Sequence, residues 1–320
     1  MRASTRIRLA VFPALFFTIL SSTPGLAQDR GQIERSRELQ QTPTIRSGSF
    51  FSFVENQEEQ ELFTPASPGD DDIGVQLLLK EQNDIKYWTF YAESAGFYTN
   101  NIALTNNPEV DGAMFSNQVG LVYSRPISGD FVVLGALRQQ FIRYDRLTAF
   151  DFDSLMVDVG ATYIARNFYD INAYVRYRYN HLMEPTLGDG FFDNNTITFG
   201  LQRYFLYSRA IWFYVGAEGV IGYSDPAANQ RDEGAVYAAA NVDLTRWLTL
   251  QTYYRAAYHE YNFINRQDFN QNVSILFSFK LTSWAFLNAQ MLWGLNRSSR
   301  SVFDYDVFNL GGGLQVQLRF

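Results

Sequence analysis

The sequence predicts an all-β fold: a transmembrane, antiparallel up-and-down β-barrel of 12 to 14 strands behind a signal peptide and a polar arm. Three observations carry that reading. Apolar residues recur with a period of two along most of the chain, and short connections alternate with long ones between those stretches. Aromatic residues make up 17% of a chain whose mean hydropathy is −0.19, which suits strands with one face in lipid and a polar face turned inward. Past residue 27 no uninterrupted apolar run reaches the ~18 to 20 residues that a spanning helix needs, so a bundle of membrane helices is excluded.

The first element is a signal peptide over residues 1–27. MRASTRIR places three arginines ahead of the apolar run LAVFPALFFTIL, and SSTPGLA then sets small Gly25 and Ala27 before a cut between Ala27 and Gln28. The run is too short to serve comfortably as an uncleaved anchor. Residues 28–72 follow, with ten acidic and four basic side chains and the run Asp70, Asp71, Asp72. Such a segment reads as a solvated periplasmic arm or plug, with a periplasmic partner as its alternative use.

The barrel itself is assigned to residues 73–320. In WLTLQTYYRAAYHEY (247–261), Leu248, Leu250, Thr252, Tyr254, Ala256 and Tyr258 share one face, while Thr249, Gln251, Tyr253, Arg255 and His259 share the other. AFLNAQMLWGLN (285–296) divides the same way. Short connections fall at 127–130, 167–170, 207–209, 245–247 and 282–284. Longer polar ones fall near 99–112, 145–152, 184–194, 224–234, 262–271 and 297–305. Short periplasmic turns and longer outside loops give each strand end a side, whereas a soluble β-sandwich predicts no such alternation. Twelve strands are counted from residue 85. IGVQLLLK (73–80) adds one more, and pairing it with SGSFFSFV (47–54) makes fourteen, the preferred even total.

In the last strand, FNLGGGLQVQLRF, residues Phe308, Leu310, Gly312, Leu314, Val316, Leu318 and Phe320 lie on one face. Asn309, Gln315, Gln317 and Arg319 lie on the other. An alternating final strand with a terminal aromatic resembles the assembly signal of the Gram-negative outer-membrane β-barrel proteins, a porin-like superfamily. The resemblance implies insertion by the barrel-assembly machinery, contact with outer-membrane lipid and lipopolysaccharide, and residence in the bacterial outer membrane. It names an architecture and not an activity.

Projecting each strand by its polar face gives the inward charges Glu93, Arg138, Asp158, Arg176, Arg178, Glu218, Asp243, Arg255, Lys280 and Arg319. All but Asp243, Lys280 and Arg319 fall at middle depth. Buried charges persist only when paired or wet, so this face lines water, a polar network or both. Arg138, Asp158 and Arg176 fall on three consecutive strands, where neighbours pair. A ring of charges at a constriction is how pores select solutes, while the same charges packed together would fill a silent barrel.

A second recurrence is FDFD (150–153) and FDYD (303–306), with FFDNN (191–195) and DFNQN (268–272) in equivalent places. Asp151, Asp153, Asp304 and Asp306 are divalent-ion ligands or, in better keeping with their spacing, loop caps beside interfacial aromatics. Gly311, Gly312 and Gly313 sit inside a strand and read as relief of crowding.

No complete metal motif is present, and no cofactor or metal is expected. With no cysteine, disulfides and thiol chemistry are excluded. Nucleic acid is disfavoured by a net charge of −7 and the lack of a basic patch. Of the two histidines, His181 has Glu184 nearby but no serine, and His259 lies beside Glu260, which faces the other way. A catalytic role is therefore the least favoured function. The leading expectation is a channel passing small hydrophilic solutes passively. The alternative is a structural, assembly or polymer-export barrel whose arm binds a partner.

Overall fold

Period-two alternation does here what it predicts, giving strands that expose one face outward and bury the other. The computed structural model describes residues 33–35, 37 and 86–320. Its strands are β1 (Trp88–Thr99), β2 (Gly112–Ser128), β3 (Phe131–Tyr144), β4 (Phe152–Ala165), β5 (Ile171–Met183) and β6 (Gly190–Ser208). They continue as β7 (Ile211–Asp225), β8 (Arg231–Thr245), β9 (Leu248–Tyr261), β10 (Arg266–Lys280), β11 (Ala285–Ser298) and β12 (Tyr305–Arg319). Each pairs antiparallel with the next, and β12 returns to β1 to close the barrel. The shortest strand has 12 residues, enough for a tilted strand that needs about 9 to 11 to cross a bilayer.

Closure corrects the preferred count of fourteen to twelve. β1 and β12 pair from Thr89↔Arg319 to Thr99↔Asn309, and Trp88 and Phe320 exchange backbone hydrogen bonds of 3.0 Å. No free edge remains to admit another pair of strands. Residues 47–54 and 73–80 lie outside the described residues, as do the signal peptide and most of the arm.

The short turns fall where the sequence sets them, but the opposite connections are shorter than expected. They span 100–111, 145–151, 184–189, 226–230, 262–265 and 299–304. Phe192, Asp193 and Asn194 belong to β6, and Asp268, Asn270 and Asn272 to β10. The reason is that these strands continue past the membrane-width stretch with Asn194, Asp268, Asn270 and Asn272 turned inward, so polarity there marks a lumen and not a loop. The two ends are hereafter the turn end and the loop end.

The outward face carries two aromatic bands. Trp88, Tyr163, Tyr207, Trp247, Trp284 and Phe320 are exposed toward the turn end, and Tyr98, Phe115, Tyr223, Tyr258, Phe269 and Phe308 toward the loop end. Between them aliphatic residues are exposed, among them Leu137, Val159, Val175, Leu201, Val236 and Leu314, interspersed with rings such as Phe199 and Trp293. Amphipathic rings at two interfaces with hydrocarbon between them match the girdles of a membrane barrel.

The three consecutive glycines lie at the closure seam. A Cβ on Gly311 would stand 2.2 Å from the Gly96 carbonyl oxygen, and one on Gly313 2.2 Å from that of Ser94. Crowding of backbone on backbone thus requires glycine at these two places.

Candidate functional site: the barrel lumen

Inward-facing side chains at middle depth form two polar networks. In the first, Asp158 of β4 stands between two arginines: Arg138 Nη2 lies 3.3 Å from Oδ2, and Arg178 Nε donates to Oδ1 at 2.6 Å. The register makes this possible, since Asp158 is opposite Arg178. Arg176, expected as the partner, instead lies over the Tyr174 ring at 5.7 Å from its centroid. Its cross-strand neighbour is Gly160, which offers no carboxylate. Among the described residues no ion pair holds Arg176.

The second network joins β5 through β9. Arg255 reaches Glu218 at 3.1 Å and also contacts Glu233, which lies 3.0 Å from His259 Nε2. Tyr174 donates to Glu218 at 2.7 Å and lies 3.0 Å from the Tyr237 hydroxyl. The inward tyrosines are seated by glycines on neighbouring strands: a Cβ on Gly216 would strike the Tyr237 ring at 2.4 Å. A ring laid over a glycine fills the gap that the missing side chain leaves.

Of the remaining inward charges, Glu93 is half-buried on the Tyr91 face of β1, while Asp243 and Lys280 are exposed at the turn end. Asp243 accepts from Thr249 at 2.8 Å. Arg319 lies half-buried near the turn-end closure.

Toward the loop end the lumen is dry. Met114, Ile142, Tyr144, Phe152, Leu182 and Phe192 converge from β2 to β6 and are buried with Ile102, which the 100–111 loop folds inward. Leu104 of the same loop packs on Leu292, Tyr305 and Val307. Asn101 anchors this loop by donating to the carbonyls of Thr105 at 2.7 Å and Asp306 at 2.9 Å.

Residues 33–35 and 37, helical in conformation, are buried against this end of the lumen. Ile33 joins the apolar cluster. Arg35 donates to Asp268 at 2.8 Å and also bonds the Tyr261 hydroxyl. Glu34 accepts from Asn180 at 3.0 Å.

The four rim aspartates hold arginines and backbone amides. Asp151 accepts from the Tyr144 amide at 2.8 Å and Asp304 from the Ser298 amide at 2.6 Å. Asp153 accepts from the Leu187 amide at 2.7 Å and pairs with Arg143 at 2.7 Å, and Asp306 pairs with Arg297 at 3.2 Å. Among the described residues no three side chains form a metal-binding group.

His181 faces outward at the rim. Its partner is Asp193, at 2.7 Å from Nδ1, and not Glu184, because Asp193 sits directly opposite on β6. The Tyr179 hydroxyl donates to the same carboxylate at 2.6 Å.

Glu233, Asp268 and Asn180 were not among the expected lumen residues. A signal was available: Glu233 has the parity of Ala235 and Tyr237, and Asp268 that of Asn270 and Asn272. Polarity alone assigns both to the connections near 224–234 and 262–271. Nothing in the sequence pattern of residues 33–37 places them inside the barrel.

No protein-family model matches the chain, and no curated protein matches it. Solved structures do. An outer-membrane channel from Pseudomonas putida F1 is similar over 74% of this chain and 98% of its own, at 9% identity and a TM-score of 0.51. The translocator domain of an autotransporter from Neisseria meningitidis aligns over 84% of this chain and 96% of its own, at 10% identity and a TM-score of 0.42. An anion-selective porin from Comamonas acidovorans aligns over 72% and 98%, at 6% identity and a TM-score of 0.38. At such identities the likeness concerns architecture alone. With its twelve-strand closure and paired aromatic bands, the chain has the fold of the Gram-negative outer-membrane β-barrel proteins.

Proposed function

We propose that the protein is an outer-membrane channel through which small hydrophilic solutes pass passively. One observation carries the reading: the charged networks at middle depth keep contact with water through two of their arginines. The Arg178 side chain keeps 22% of its exposure and that of Arg255 16%, although both point into the lumen. From there to the turn end the wall is polar and half-buried, through Thr198, Gln202, Gln251, Gln315 and Gln317. Charges that line water at a narrow point act on whatever solute passes them. The girdles and the turn-and-loop polarity fit residence in the bacterial outer membrane, with the turn end periplasmic and lipopolysaccharide around the loop end.

The test is conductance. Purified protein in a planar bilayer is expected to give discrete openings, and charge reversal at Arg176 and Arg178 to shift ion preference toward cations severalfold. A barrel silent in every variant, including those that release the segment around Arg35, would refute the channel.

A second reading, a structural or assembly barrel, draws on the dry loop end. Deleting residues 28–72 separates the two. Flux retained or raised supports the channel, whereas a silent barrel that loses a co-purifying periplasmic protein supports the alternative.

A further inference from the structure

The helical residues around Arg35 bind the lumen in an unusual way, because each side of the contact carries its own neutralising partner. On the barrel side, Asp268 is held by Arg266, whose Nε donates to Oδ1 at 2.9 Å and whose Nη2 contacts Oδ2. Asn296 adds a longer contact to Oδ2 at 3.4 Å. On the other side, Glu34 is clasped by Arg37, with Nε to Oε2 at 2.9 Å and Nη2 to Oε1 at 2.6 Å. Asn180 likewise keeps Ser154, whose hydroxyl donates to its Oδ1 at 2.9 Å.

Separating a buried ion pair is expensive chiefly because one charge is left behind without a partner. Here neither carboxylate is left alone. If the segment withdraws, Asp268 keeps Arg266 and Glu34 leaves together with Arg37. Among what is lost are the bond from Arg35 to Asp268, its contacts with Tyr261 and the Phe303 ring, the hydrogen bond from Asn180 and the burial of Ile33. The 100–111 loop, tied to β12 by Asn101 on the Asp306 carbonyl and by the Phe308 amide on Asn100 Oδ1, has no comparable provision for leaving.

We propose that residues 33–35 and 37 form a displaceable plug closing the loop end of the lumen, latched by Arg35 on Asp268. The inference rests on the channel reading above. Ile33 seats the plug in the apolar cluster of β2 to β6, Glu34 fixes its rotation against β5, and Arg35 reaches across to β9 and β10. One segment therefore bridges opposite walls, and its departure joins the wet half of the lumen to the outside. The opening that results is bounded by the fixed 100–111 loop.

The absence of native cysteine permits a clean test. In planar bilayers, Arg35→Ala in the full mature chain is expected to raise the fraction of time open roughly tenfold, the scale of one charged hydrogen bond. Arg35→Lys should restore most of the closure. A second arm does not depend on losing the latch. With Glu34→Cys and Asn180→Cys, whose native side chains touch, a short bifunctional thiol reagent with a cleavable disulfide should hold the channel shut, and reductant should reopen it. Equal conductance before and after cross-linking, or Arg35→Ala opening no more often than the native chain, overturns the plug and leaves the channel standing. Silence in every arm, reduced and unlinked barrels included, overturns the channel and the plug with it.

Discussion

The two halves of the lumen are walled by the same twelve strands and obey the same alternation, yet they are built on different physical terms. Near the loop end the inward residues of β2 to β6 gather an apolar cluster closed to water, with Ile142, Phe152 and Leu182 at 0% exposure. From middle depth to the turn end charged, amide and hydroxyl groups are prominent, and water still reaches some of them, Arg178 and Arg255 among them. The first half derives its stability from packing, and the second from satisfying charges. The difference teaches that a closed barrel is not a uniform tube: its strands supply backbone bonding everywhere, and inward side chains alone decide where it is sealed.

The largest effect expected from this contrast is in the wet half. Asp158 is 1% exposed and answers both Arg138 and Arg178, so Asp158→Ala strands two arginines at once. Breaking a buried pair by removing one partner costs about 3 to 5 kcal/mol. Water at Arg178 should keep the loss toward the lower figure. Unfolding of the refolded barrel in urea measures it, and a change under about 1 kcal/mol would show that Asp158 is solvated and the networks are not structural.

The dry half should respond somewhat less, and without regard to salt. Leu182→Ala removes buried methyl groups from the cluster on which Ile33 sits, at a cost of about 2 to 4 kcal/mol. Because no charge is involved, the loss should be the same at low and high ionic strength. A salt-dependent loss at Leu182 would break the distinction between the halves.

How much of this was legible in advance follows from the same contrast. The alternation that places Arg138, Asp158, Arg178, Glu218 and Arg255 inside is a local property, readable from parity once the strands are found. Which of them touch is set by register between strands. Register favoured Arg178 over Arg176 as the partner of Asp158, and Asp193 over Glu184 as the partner of His181. Glu233 and Asp268 escaped because polarity near a strand end has two causes, a loop in water or a strand turned to the lumen, and composition alone does not separate them. The docking of Ile33 and Arg35 was less accessible still. Their partners lie 226 and 233 residues away for Arg35, a separation over which no periodicity speaks.

Phe320 gives the smallest expected effect and tests where closure resides. Its ring is 61% exposed on the outward face, and its backbone carries the bonds that fasten β12 to Trp88. Phe320→Ala leaves those bonds in place and forgoes only part of one ring's burial against lipid, so the folded barrel should lose no more than about 1 kcal/mol. If the terminal ring serves assembly, as the resemblance implies, the variant should refold in detergent nearly as well as the native chain and still accumulate poorly in cells. Equal loss in both settings would move the role of Phe320 from delivery to the seam itself, and the backbone pairing would then be insufficient to hold the barrel closed.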